Sequence, residues 1–173
     1  MKNIISKIMM AVVVAALALS AIPVSSAFAA DDPPKGELTV ERMEKIWARE
    51  VRIYERMGRV FGDIDAHIAK LQSLIDKAAA NGKDVTALQT ALDEYEAALK
   101  DSKPIYDELG EIITAHNGFD ADGKVTNEDQ ARATLQSTRE KGRELKAAMD
   151  GKFKAWREAL KEFRKANRPK SKP

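Results

Sequence analysis

Apolar residues recur along this chain in steps of three and four. From Met43 the pattern runs through Trp47, Glu50, Tyr54, Met57, Phe61, Ile64, Ile68, Leu71, Ile75 and Ala78, and every position except Glu50 is apolar or aromatic. A second row at spacing seven, Ile46, Ile53, Val60, His67 and Leu74, widens the face. A face that wide suits a helix touching two neighbours. The pattern predicts a first helix from about Thr39 to Ala80, stopped by Asn81-Gly82. A second seam runs from Val85 through Leu88, Leu92, Tyr95, Leu99, Ser102, Tyr106, Leu109 and Ile113 to His116, with Asp84 or Thr86 as its cap. Pro104 lies inside it and either kinks the helix near Lys100–Lys103 or splits it; the unbroken phase predicts a kink. A third seam passes Ala131, Leu135, Thr138, Gly142, Leu145, Met149, Phe153, Trp156, Leu160 and Phe163. Thr126 with Asp129 three residues on reads as its capping box. The successive steps of four from Leu145 to Met149 to Phe153 mark a phase shift.

Short links between long helices imply antiparallel neighbours. The expected fold class is therefore all-α, an up-down-up bundle of three long antiparallel helices over residues 38–166. The alternative is a long helical hairpin that dimerises. Folding the second helix back about Gly82 brings Pro104, Gly58, Gly62 and Gly142 to one level. That level reads either as a flexible waist or as close packing around Tyr54, Phe61 and Tyr106, and packing is the commoner use of such residues.

The first 29 residues stand apart. Lys2 and Lys7 precede an apolar run from Ile8 to Ile22, and Ala27-Phe28-Ala29 has the small-x-small form of a signal-peptidase site. The run is shorter than the ~20 residues of a spanning helix. The expectation is a signal peptide over 1–29, a flexible N-terminus over 30–37, and an exported product, periplasmic or extracellular. The absence of cysteine excludes a disulfide framework, thiol catalysis and thiolate metal sites.

Removing the leader changes the charge. The 29 Lys and Arg fall to 27 without Lys2 and Lys7, matching the 27 Asp and Glu. The balance is uneven, because "KEFRKANRPKSKP" (161–173) holds six basic residues and one acid. This end, with 167–173 expected as a basic disordered tail, could touch an anionic envelope surface. The acidic body lacks a basic face and does not suit nucleic acid.

Candidate chemistry is sparse. Placing the glycine of a calcium-loop template on Gly123 puts Asp120 and Asp122 at the third and fifth positions, the Lys124 carbonyl at the seventh, Thr126 at the ninth and Asp129 at the twelfth. Gly118 stands where the first acid belongs, and Asp129 is shorter than the usual Glu. The same residues read as a turn: Asp side chains take local N–H groups, Gly123 supplies positive φ, and Phe119 and Val125 tuck beneath. The two readings imply weak calcium binding or no cofactor. Level-matching also brings Glu50 and His116, two polar intruders on apolar seams, to the same end as the loop, as a polar or metal site or as a satisfied pair. His67 with Asp63 reads as a hydrogen-bonded flank histidine.

The loop residues Gly118-Phe119-Asp120, Gly123, Val125-Thr126 and Gln130-Ala131 resemble a "GFDxxGxVTxxxQA" loop found between long amphipathic helices in a group of exported bacterial helical proteins. That resemblance implies a helical fold and export and carries no particular activity. "LTVER" (38–42) is similar to the Leu-Thr-x-x-Gln signature of periplasmic helical chaperones of the Spy type, with Arg42 where Gln should stand. Nucleophile elbows, phosphate-binding glycine loops, zinc pairs and haem motifs are absent from the sequence. The expected function is therefore non-enzymatic: an exported helical bundle acting by interaction with a protein partner or by self-association. The alternatives are a calcium- or metal-responsive protein using residues 118–129, and a Spy-like chaperone.

Overall fold

A computed structural model describes residues 38–168, so the leader, residues 30–37 and residues 169–173 of the tail lie outside the described residues. The described chain is all-helical. Its five helices are α1 (Val40–Phe61), α2 (Ile64–Ala80), α3 (Thr86–Ala115), α4 (Glu128–Met149) and α5 (Lys152–Ala166). Two of the three expected helices are thus interrupted.

The first interruption is Gly62-Asp63. Gly62 N–H still bonds the Gly58 carbonyl at 2.9 Å, but Asp63 turns to φ −152° and its carboxylate accepts from Ala66 N–H at 2.8 Å. Glycine is a poor helix former and aspartate competes for backbone N–H groups, so together they end one helix and cap the next. The second interruption is Asp150-Gly151. Asp150 is extended, and Gly151 has φ +82°, a left-handed value that glycine adopts without strain. It falls where the apolar phase shifts, between Met149 and Phe153. α3, in contrast, runs through Pro104 without a break.

α3 packs on all four other helices. Its pairs with the preceding helices descend as their numbers rise: Gln89 bonds Gln72, Lys100 pairs Asp65, and Tyr106 stacks on Tyr54. The pairs toward the C-terminal helices behave alike, with Glu108 on Lys141 and Glu94 on Lys152. Neighbouring segments are therefore antiparallel along α3. The main core includes Phe61, Leu71, Ile75, Leu92, Tyr95, Leu99, Phe153 and Trp156. Each such fully buried side chain contributes roughly 1.5–3 kcal/mol.

Within the expected glycine level, Gly58 is a packing contact, while Gly62 lies at the break between α1 and α2. Tyr106 stacks between Tyr54 (4.7 Å) and Phe61 (4.7 Å). A methyl on Gly58 would lie 3.1 Å from the Tyr106 hydroxyl, and one on Gly110 would collide with the Tyr54 hydroxyl. Both tyrosines fit because the facing residue has no side chain. His67 departs from expectation: its ring meets Tyr95 edge-on at 6.2 Å, while Asp63 is committed to the cap of α2. Burial, helped by the nearby Lys70, lowers its pKa.

Candidate functional site

A second, smaller core joins the start of α1 to the loop between α3 and α4. Met43, Trp47, Phe119, Ala131 and Leu135 are its buried members, flanked by Leu38, Ile46, Val51, Ile113 and Val125. Phe119 stacks flat on Trp47, with centroids 4.6 Å apart and planes within 9°.

The loop is built by its backbone. His116 closes α3 in a left-handed conformation at φ 36° and is exposed. Gly118 follows at φ +84°, and any Cβ there would collide with the backbone nitrogen of Ala131. Its carbonyl accepts from Thr126 N–H at 2.9 Å and Asn127 N–H at 3.3 Å. Phe119 and Val125 form an antiparallel bridge. Between them, Asp120 Oδ1 accepts from Asp122 N–H (3.0 Å) and Lys124 N–H (2.8 Å), and Gly123 turns at φ +75° against the Trp47 indole. α4 then starts one residue later than the capping box predicts. Asn127, not Thr126, caps it, accepting from Gln130 N–H at 3.0 Å. Asn is at least as good a cap as Thr.

A clamp from α1 holds the outside of the loop. Glu44 Oε2 takes Lys124 Nζ at 2.9 Å, and Oε1 takes Val125 N–H at 3.2 Å. The Lys124 ammonium, then the Val125 N–H, hold the Glu44 carboxyl below its usual range; Glu44 in turn raises Lys124. Neither Glu44 nor Trp47 stands out in the sequence as a loop ligand, because both are about eighty residues away.

The candidate ligands are placed as follows. Asp120 uses its carboxylate on backbone N–H groups, and the Lys124 carbonyl accepts from Asp120 N–H at 2.9 Å. Asp122 and Thr126 are exposed, and Asp129 is exposed on the first turn of α4. Glu50, its side chain 11 % exposed, pairs with Arg49 at 3.1 Å. His116 Nδ1 lies 2.7 Å from the Thr114 carbonyl oxygen. No hydrogen bond joins Glu50 to His116 among the described residues, because His116 has left the helical seam to form the cap. Among the described residues no three His, Asp or Glu side chains converge as metal ligands would.

Beside the loop lies an open cleft of about 590 Å³ between the end of α3 and the first half of α4. Polar Glu111, Asn117, Gln130, Thr134 and Ser137 line it, with Ile112, Ala115 and Ala133. The Thr134 hydroxyl donates to the Asn117 carbonyl at 2.8 Å, tying the cleft wall to the loop. Among the described residues no helix is long and apolar enough to cross a membrane. No family model, curated protein or solved structure matches the chain.

Proposed function

We propose that this protein is an exported, non-enzymatic helical scaffold that acts by binding a protein partner. In this reading the five helices serve as three rods in up-down-up order, α1 with α2, then α3, then α4 with α5. The observation that carries it is the preformed polar cleft between α3 and α4, contiguous with a loop anchored by its own core. A surface already held in shape loses little conformational freedom when a partner docks. The alanines at 115 and 133 let a partner's backbone come close. The leader-like first 29 residues support export.

The test is a photo-crosslinking residue at Ala133 or Ser137, with Asp101 as a control position, in cells that make the protein. A defined adduct from the cleft positions alone supports the reading. Equal labelling at Asp101, or none at the cleft, removes it.

The calcium reading keeps one observation in its favour: Gly123 takes the left-handed turn that the template's central glycine needs, with Asp120 and Asp122 beside it. Under that reading, millimolar calcium raises the melting temperature of chelator-stripped protein, and Asp120→Ala with Asp122→Ala abolishes the rise. The chaperone reading has no comparable support. It requires an exposed apolar face, and among the described residues Val40, at 40 % exposure, is the exposed large hydrophobic.

A further inference from the structure

α5 presents opposite chemistry on its two sides. Phe153, Trp156, Leu160 and Phe163 are buried in the core. On the outer side stand Lys154, Arg157, Lys161 and Lys165, all exposed, with the exposed acids Glu158 and Glu162 along one edge, followed just beyond the helix by exposed Arg168. At 3.6 residues per turn the four cations within the helix, Lys154, Arg157, Lys161 and Lys165, fall within roughly a quarter of its circumference, and Lys154 to Lys165 spans about 16 Å.

The stripe is poorly neutralised. Lys165 reaches Glu162 at 3.6 Å, and Arg157 lies over the Phe153 ring at 5.9 Å. Lys154, Lys161 and Arg168 have no acidic partner among the described residues. The neighbouring α3 is acidic, with seven Asp and Glu against two Lys, yet across that interface the one α5 cation paired with it among the described residues is Lys152, on Glu94. The stripe therefore points away from the acidic helix. Arg164, at its edge, has Nε and Nη2 buried without a hydrogen-bond acceptor among the described residues. The sequence beyond adds Lys170 and Lys172.

We propose that the outer face of α5 docks on the surface of an anionic lipid bilayer. Four cations in one stripe on a rigid helix, with Arg168 just beyond its end, can meet a plane of phosphates together. The apolar side is committed to the core, so attachment is electrostatic and peripheral, without insertion. This surface shares no residue with the α3–α4 cleft and stands or falls independently of it.

The test is sedimentation of the protein with phosphatidylcholine vesicles, with and without phosphatidylglycerol, at low and raised salt. The expected result is binding to the anionic vesicles alone, weakened by salt. Replacing Lys154, Lys161 and Lys165 by Gln should weaken it about fivefold each, roughly a hundredfold together. Lys45→Gln on α1 should leave binding unchanged. Because the replaced side chains are exposed, a far-ultraviolet spectrum of the triple variant should match the parent; if it does not, the salt response of the unaltered protein still decides. Equal binding to neutral vesicles, full binding by the triple variant, loss caused instead by Lys170→Gln with Lys172→Gln, or capture by dextran sulfate without any by vesicles would each overturn the proposal.

Discussion

The indole of Trp47 lies flat on the ring of Phe119, 4.6 Å between centroids, and thereby fastens a loop to a helix more than seventy residues away in sequence. The same indole is the floor beneath Gly123, whose absent Cβ would sit 3.1 Å from it. One side chain thus positions both ends of the turn that holds Asp120 and Asp122. Removing either ring should cost about 3–5 kcal/mol, the usual loss for a buried aromatic. The double variant should cost less than the two singles combined, by about 0.5–1.5 kcal/mol beyond area effects. Urea melts of the four proteins measure this; strict additivity would mean that the rings are neighbours without coupling.

Two glycines with similar backbone angles should respond differently to alanine. Gly82 has φ +71° and open space around it, so Gly82→Ala should cost about 1–2 kcal/mol from the left-handed backbone alone. Gly118 has φ +84° and the backbone of Gln130 and Ala131 against it. Backbone cannot swing aside as a flexible side chain can, so Gly118→Ala should cost clearly more, above about 3 kcal/mol. Chemical denaturation of both variants gives the comparison, and equal losses would contradict the close approach.

The Glu44–Lys124 clamp should leave a mark in acid. The Lys124 ammonium and the Val125 N–H depress the folded pKa of Glu44, so its stabilisation is fully present above the unfolded value near 4.3 and fades as pH falls through the folded value. Lys124 is raised, so its share persists below about 10.4 and fades in strong alkali. The melting-temperature gap between the parent and Glu44→Gln should therefore be flat around neutrality and close below about pH 4. A gap that stays constant into acid would show that the carboxylate charge is not what holds the loop.

His67 should act in a different window. Burial against Tyr95 lowers its folded pKa, so the folded state favours the neutral ring. Its contribution is complete above the unfolded value near 6.5 and is lost as pH falls below that, because the unfolded chain then binds the extra proton. The parent should lose melting temperature between about pH 7 and pH 5, and His67→Phe should lose less. Parallel slopes in the two proteins would place the sensitivity elsewhere.

The helical seams were readable because burial of one face imposes a period of 3.6 residues whatever the sequence between them. The same fact hid the interruption at Gly62-Asp63: Phe61, Ile64 and Ile68 keep their spacing across it, so the apolar record is blind to a break that consumes so few residues. At Asp150-Gly151 the double step of four did register, as a phase shift, and Gly151 at positive φ is its cause. The turn chemistry of Asp120 and Gly123 was also readable, since an Asx turn and a left-handed glycine are local.

What the sequence determined by itself is what depends on near neighbours: all-helical structure, the seams, the loop between α3 and α4, and the excess of positive charge at the C-terminal end. Tertiary structure alone decided which distant groups meet. It took Trp47 to Phe119 and Glu44 to Lys124, sent His116 to an exposed cap rather than to Glu50, and aimed the basic side of α5 away from acidic α3. The reason is physical. Periodicity fixes which face of a helix is buried, but partners across a bundle depend on rotation and level, and those are set by packing of side chains such as Tyr54 and Tyr106 against the glycines opposite them.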